Sequence, residues 1–111
     1  MNQGDVYLIN IDPILHTKVG KTAPGMIISV NAMNNYSPRV IVAPITSSIG
    51  KIYPFEVFIP RGVGGLEKDS KIMLDQIRSL GKRRLIEKIG TINKEILVKA
   101  CAIAQKLLLA D

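Results

Sequence analysis

The chain has one cysteine, one histidine and fewer acids than bases, and each shortage narrows its chemistry. A single thiol, Cys101, excludes an intrachain disulfide and any multi-cysteine zinc site. A reduced setting fits that count, and the apolar neighbours of Cys101 read as core packing rather than as the surroundings of a nucleophile. The lone His16 leaves no His/Asp/Glu cluster at metal-ligand spacing. No segment offers the ~20 uncharged apolar residues needed to span a bilayer. Asp5 and Asn10 interrupt the N-terminal apolar stretch, so no secretory leader is expected. Repeats, low-complexity tracts and linker-like shifts in composition are also missing, and 111 residues are expected to form one domain over 1–111. These absences together predict a soluble, cytoplasmic protein.

What is present is an ordinary globular composition, 47% hydrophobic and 22% charged. Fifteen Lys and Arg against nine Asp and Glu leave a net charge of +6. Such an excess on a small domain favours encounter with polyanions, nucleic acid first and anionic membrane second. The plainer reading, that many small soluble proteins are basic, stands beside it.

Strands are expected at DVYLINI (5–11), MIISV (26–30), RVIVAPI (39–45), FEVFI (55–59) and SKIMLDQIRS (70–79), with a brief one at 89–92. Asp12-Pro13 closes the first strand and opens a loop over 12–24. The continuous apolar run 39–45 predicts a central strand buried on both faces. Turn formers make NAMNNYSP (31–38) irregular or a single helical turn, and another turn is expected within 81–88. Asn93 is a plausible N-cap for a helix over Lys94–Ala110, with Glu95 in its first turn. Ile96, Ala100, Ile103, Ala104 and Leu107 share one helix face, while Val98, Ala102 and Leu109 form a second apolar stripe roughly opposite. A helix apolar on two faces predicts a homodimer interface. Short strands with one terminal helix predict a small, bent sheet or partly open barrel.

Several stretches, in order and at consistent spacing, carry a resemblance: GDVYLINIDP (4–13), the loop into Pro24, VIVAPITS (40–47), YPFEV (53–57), LDQIRS (74–79) and the late helix. Together they resemble the MazF/PemK family of toxin endoribonucleases. The resemblance implies a mainly β fold with a C-terminal α-helix, an SH3-like small barrel of the CcdB/PemK type, and a homodimer. It also implies metal-independent, cofactor-free cleavage of single-stranded RNA, chiefly messenger RNA, at short motifs. The products would carry a 2′,3′-cyclic phosphate and a 5′-hydroxyl. A MazE-like antitoxin would neutralise the toxin by laying an acidic segment across the RNA groove.

In that family the loop after the first strand ends in Arg-Pro, and the arginine is central to catalysis; the matching pair here is Ala23-Pro24. A methyl group cannot donate to phosphate, and Lys21, two positions away, lacks a planar fork. Loss of one preorganised donor costs about 10²–10³ in rate, so the chain is expected to be impaired. Ala23 reads either as a substitution that makes a toxic ribonuclease producible or as a natural loss of activity. Alternatives are a non-catalytic RNA- or antitoxin-binding homologue and a CcdB-type gyrase poison.

The resemblance further assigns Thr46 to the scissile phosphate, with Ser47 as helper; turn chemistry would also place Thr and Ser there. Asp75 is either a proton acceptor or a structural partner of Arg78 and nearby N–H groups. Gln76 and Arg78 are expected to line the groove. His16, Thr17 and Lys18 replace the small, polar and acidic residues usual in the loop, so RNA contact there is an expectation with altered charge. Tyr53 is the candidate for stacking on unpaired bases, whereas Phe55, in phase with Val57 and Ile59, reads as core. Lys51, Lys82, Arg83 and Arg84 read as a general electrostatic footprint, without a catalytic role.

Overall fold

A computed structural model describes residues 1–11 and 21–109. Seven strands and two helices follow one another as β1 (Asp5–Asn10), β2 (Thr22–Ile27), α1 (Asn31–Tyr36), β3 (Arg39–Thr46), β4 (Glu56–Ile59), β5 (Ser70–Met73), β6 (Arg78–Gly81), β7 (Leu85–Thr91) and α2 (Lys94–Leu109). All the strand pairs are antiparallel. They make one sheet in the order β4-β5-β3-β2-β1-β7, with β6 also pairing to β3. The mainly β architecture with a C-terminal helix is therefore as expected. The barrel is a loose description, because the strand path runs between two ends, β4 and β7, without closing.

Strand alternation splits the apolar side chains between two cores. On one face Val6, Met26, Ala43, Ile45 and Ile72 pack with Ala100 and Ala104 of α2. On the other, Ile9, Ile27, Val40 and Val42 pack with Leu80 and Leu85. β3 contributes to both, which is why its sequence is an unbroken apolar run. At β7 the backbone approach is too close for any side chain. A Cβ on Gly90 would sit 2.3 Å from the Gly64 carbonyl carbon, so the Gly-rich turn at 62–65 lies directly on that strand.

Two boundaries differ from the sequence reading. β2 starts at Thr22 rather than at residue 26, because residues 22–26 pair with β1, and the missing N–H of Pro24 costs no bond to β3, whose ladder opens only at Gly25. The stretch 70–79 is two strands, not one. A 3₁₀ turn at Leu74–Gln76 ends β5 and redirects the chain into β6, and both strands pair with β3 at different levels.

α2 is capped as expected, with the Ile96 N–H donating to Asn93 Oδ1 at 3.0 Å. Its inner face is Ala100 and Ala104 with Ile96, Leu97, Cys101 and Ile103 beside them. Leu107, expected on that face, is instead exposed, as are Leu108 and Leu109, because the last turns carry few core neighbours, while Val98 is exposed on the opposite stripe. Burial raises the Cys101 thiol above its ordinary pKa, which suits packing and not nucleophilic attack.

Candidate active site

The β2–β3 ladder pairs Gly25 with Pro44, Met26 with Ala43 and Ile27 with Val42. The ladder ends at Gly25–Pro44, and Ala23 and Thr46 each lie two residues beyond that last pair, at the ends of their strands. Residues directly opposite in an antiparallel pair share a face, about 4.5–5.5 Å apart between Cα atoms. On its other side Ala23 pairs with Ile9, and Thr46 pairs with Lys71. Ile9 with Ala23 and Thr46 with Lys71 are thus two cross-strand pairs, each in phase with the core of Ile9, Ile27 and Val42 and so on the face opposite α2. Arg78, paired with Val42, lies on this face too, four residues down β3 from Thr46.

Thr46 Oγ1 accepts the Ser48 N–H at 3.1 Å, the turn chemistry that the sequence allowed. That bond fixes the oxygen and leaves the hydroxyl proton able to donate. Ser47 is exposed and lines a cavity of about 390 Å³ with Pro24, Leu66 and Ser70. Lys21 is exposed at the mouth of β2. His16, Thr17 and Lys18 lie outside the described residues.

Asp75 and Gln76 sit in the 3₁₀ turn rather than late in a strand, and Arg78 begins β6. Asp75 is exposed, and among the described residues it forms neither an ion pair with Arg78 nor a hydrogen bond. Gln76 Nε2 reaches Met73 Sδ at 3.5 Å. Phe55 is half-buried and outside both cores. Its ring stacks on Tyr53, with centroids 5.4 Å apart and planes 6° apart, so the two aromatics form one surface platform.

Sequence reasoning missed the pair that holds this platform. Lys71 Nζ donates to Glu56 Oε1 at 3.0 Å and to the Lys51 carbonyl at 3.1 Å. The same Oε1 accepts the Tyr53 N–H at 2.9 Å. That backbone bond, strengthened by Lys71 against the effect of burial, lowers the Glu56 pKa. The loop leaving Thr46 is thus tied back to the strand facing Thr46. Cations also face the Tyr53 ring, with Lys51 Nζ at 5.3 Å and Lys71 Nζ at 5.9 Å from its centroid. The available signal was one charge of each sign inside two apolar strands, FEVFI and SKIM. Among the described residues, no three His, Cys, Asp or Glu side chains come together.

An open, bent antiparallel sheet with a C-terminal helix, carrying hydroxyl and basic groups at one strand end, defines a small β domain. The chain belongs to the family described as PemK-like, MazF-like toxin of type II toxin–antitoxin systems, which it matches over residues 2–108. It is 46% identical over 90 residues to a protein of Staphylococcus saprophyticus named endoribonuclease MazF, covering 80% of this chain and 75% of that one. A Staphylococcus epidermidis protein of the same name is 40% identical over 100 residues, covering 89% and 83%. The MazE–MazF crystal structure from Deinococcus radiodurans (form III) superposes with a TM-score of 0.79 at 27% identity, over 97% of this chain and 95% of that one. No helix among the described residues is long and apolar enough to cross a membrane.

Proposed function

We propose that this toxin is an endoribonuclease whose scission centre lies around Ala23 and Thr46, and that the chain is impaired because Ala23 occupies the arginine seat. The β2–β3 ladder supports the reading, since its last pair, Gly25 with Pro44, lies two residues from Ala23 on one strand and two from Thr46 on the other. The relatives named endoribonuclease MazF support the activity. RNA cleavage without a metal needs three things: the ribose 2′-hydroxyl must lose a proton, the leaving 5′-oxygen must gain one, and the charge on phosphorus must be stabilised. The Thr46 hydroxyl donates to a phosphate oxygen. An arginine at position 23 would add two parallel donors from the neighbouring strand. Exposed Asp75 is the candidate proton acceptor, and the Tyr53–Phe55 platform stacks an unpaired base. The products are a 2′,3′-cyclic phosphate and a 5′-hydroxyl.

A MazE-like acidic segment is the proposed antitoxin, supported by the MazE–MazF assembly of the Deinococcus relative. The toxin works as a homodimer in the cytoplasm.

The test is cleavage of single-stranded RNA by the Ala23→Arg form, with sequencing of the cut ends. Activity should rise by at least ~10², the ends should carry the stated groups, and expression should arrest growth. A folded Ala23→Arg protein that binds RNA without cutting it would instead make the chain a binding homologue. Intact RNA together with inhibited gyrase would move it to the CcdB-type class.

A further inference from the structure

A second basic surface lies away from the Thr46 end of β3. A groove of about 490 Å³ is lined by Pro38, Arg39, Gly81, Arg83 and Arg84, with no carboxylate among them. Arg39 is braced there, its Nε donating to Ser79 Oγ at 2.7 Å and its Nη2 to the Ser79 carbonyl at 2.9 Å. Lys82, in the turn beside it, donates to the Asn34 carbonyl and so ties that turn to α1. These acceptors are neutral, so the positive charge of Arg39 and Lys82 stands. Arg83 is exposed and forms no ion pair among the described residues.

Tyr36 ends α1 two residues before Pro38 and is 89% exposed, which no packing requirement explains. An exposed aromatic three residues along the chain from a braced arginine suits unpaired nucleotides, because the ring stacks a base while guanidinium groups take phosphates. An acidic protein segment would use the arginines but gains little from the ring.

We propose that Tyr36, Arg39 and Arg83 form a second subsite for single-stranded RNA, one that grips nucleotides outside the scissile linkage. The choice of RNA as ligand rests on the ribonuclease reading above. Arg39 and Thr46 are the two ends of β3, seven residues apart. That is about 23 Å of strand at ~3.3 Å per residue, and alternation puts the two side chains on opposite faces. An RNA reaching both therefore passes round the sheet edge and needs more than the roughly seven nucleotides of a straight run at ~3.4 Å each. A shorter RNA reaches only one of the two places.

The chain as it stands serves for the test. Binding is measured by fluorescence anisotropy with RNAs of ~4 and ~14 nucleotides, lengths that bracket common single-strand site sizes. On the longer RNA, Tyr36→Ala should weaken binding about tenfold, and Arg83→Gln should lower the slope of log K against log salt by about 0.7. Arg83→Lys should keep that slope, which a merely structural role would not distinguish. The short RNA should bind all variants equally, and thermal melts by circular dichroism should match.

Equal losses on both lengths, or none on the long one, would overturn the subsite. So would an Arg83→Gln defect seen with a polyglutamate peptide and not with RNA. If the unsubstituted chain binds the long RNA through Tyr36 but not the short one, the subsite stands and the scission centre falls. If it binds neither, both fall.

Discussion

Lys71 and Glu56 meet on the sheet face that carries Thr46, with Nζ 3.0 Å from Oε1 and only 9% and 6% of the two side chains exposed. Through them the strand opposite Thr46 holds the backbone of Lys51 and Tyr53, the loop that Thr46 begins. The pair is thus a positioning device for the Tyr53 platform, and its ends are unequal. Lys71 serves two acceptors, whereas Glu56 would still have the Tyr53 N–H if Lys71 were lost.

Lys71→Met should therefore lower the melting temperature, because it strands a carboxylate in the sheet face with one partner fewer. Lys71→Met combined with Glu56→Leu should recover part of the loss, since an apolar pair of similar bulk removes the stranded charge. In the Ala23→Arg background, Lys71→Met should also weaken RNA binding, as the stacking surface loosens. Calorimetry on the two variants and RNA titration of the first check the order. A double variant no better than the single would mean the pair contributes packing rather than charge compensation.

Acid should destabilise the fold through two carboxylates. At Asp5 burial acts to raise the pKa, but bonds from the Asn2 N–H, the Thr91 hydroxyl and Lys88 outweigh it, and the net shift is downward. Glu56 shifts downward as well. Folded values below the ordinary 3.8 and 4.5 mean that the unfolded chain binds more protons. The stabilisation is then complete above those ordinary values and disappears as pH falls through the folded ones. Urea unfolding across that window should show a falling midpoint, and Asp5→Asn with Glu56→Gln should flatten the fall.

Much of this architecture was legible because burial writes itself into strands. The apolar run at 39–45 gave β3, and Asn93 gave the start of α2, each from a local physical cause. The 3₁₀ turn at Leu74–Gln76 was hidden because the stretch IMLDQI contains neither glycine nor proline, and Leu74 is buried like a strand residue. Pro24 misled in the other direction, since it looks like a breaker and yet sits where a ladder has not begun. At the site, Thr46 and position 23 were named from resemblance, and what brings their two strands together is register, which no single strand contains. Lys71 and Glu56 were missed for the same reason, being meaningful only as neighbours across β4 and β5.

The outer stripe of α2 should be covered by a second copy of the chain. Val98 and Leu109 are exposed on that stripe, and Leu107 and Leu108 are exposed beside it on the last turn, a larger apolar surface than an isolated helix end tolerates. Val98→Glu with Leu108→Glu should shift the protein toward monomer by light scattering, with the circular dichroism spectrum retained. A wild-type mass of one chain at micromolar concentration would reject the interface.

The seat at position 23 should discriminate shape as well as charge. Ala23→Arg and Ala23→Lys both place a cation at the same position of β2. Only the guanidinium presents two parallel donors to phosphate oxygens, while an ammonium acts as a point charge with freer orientation. If transition-state charge on phosphorus is what the seat serves, Ala23→Arg should raise cleavage by at least ~10², with Ala23→Lys well below it although both bind RNA alike. Adding Thr46→Ala to the arginine form should remove most of the gain, because the two donors then no longer converge on one phosphate. Thr46→Ser should keep most of it, since the hydroxyl remains. Equal rates for arginine and lysine would show that position 23 acts by attracting RNA and not by shaping the reaction.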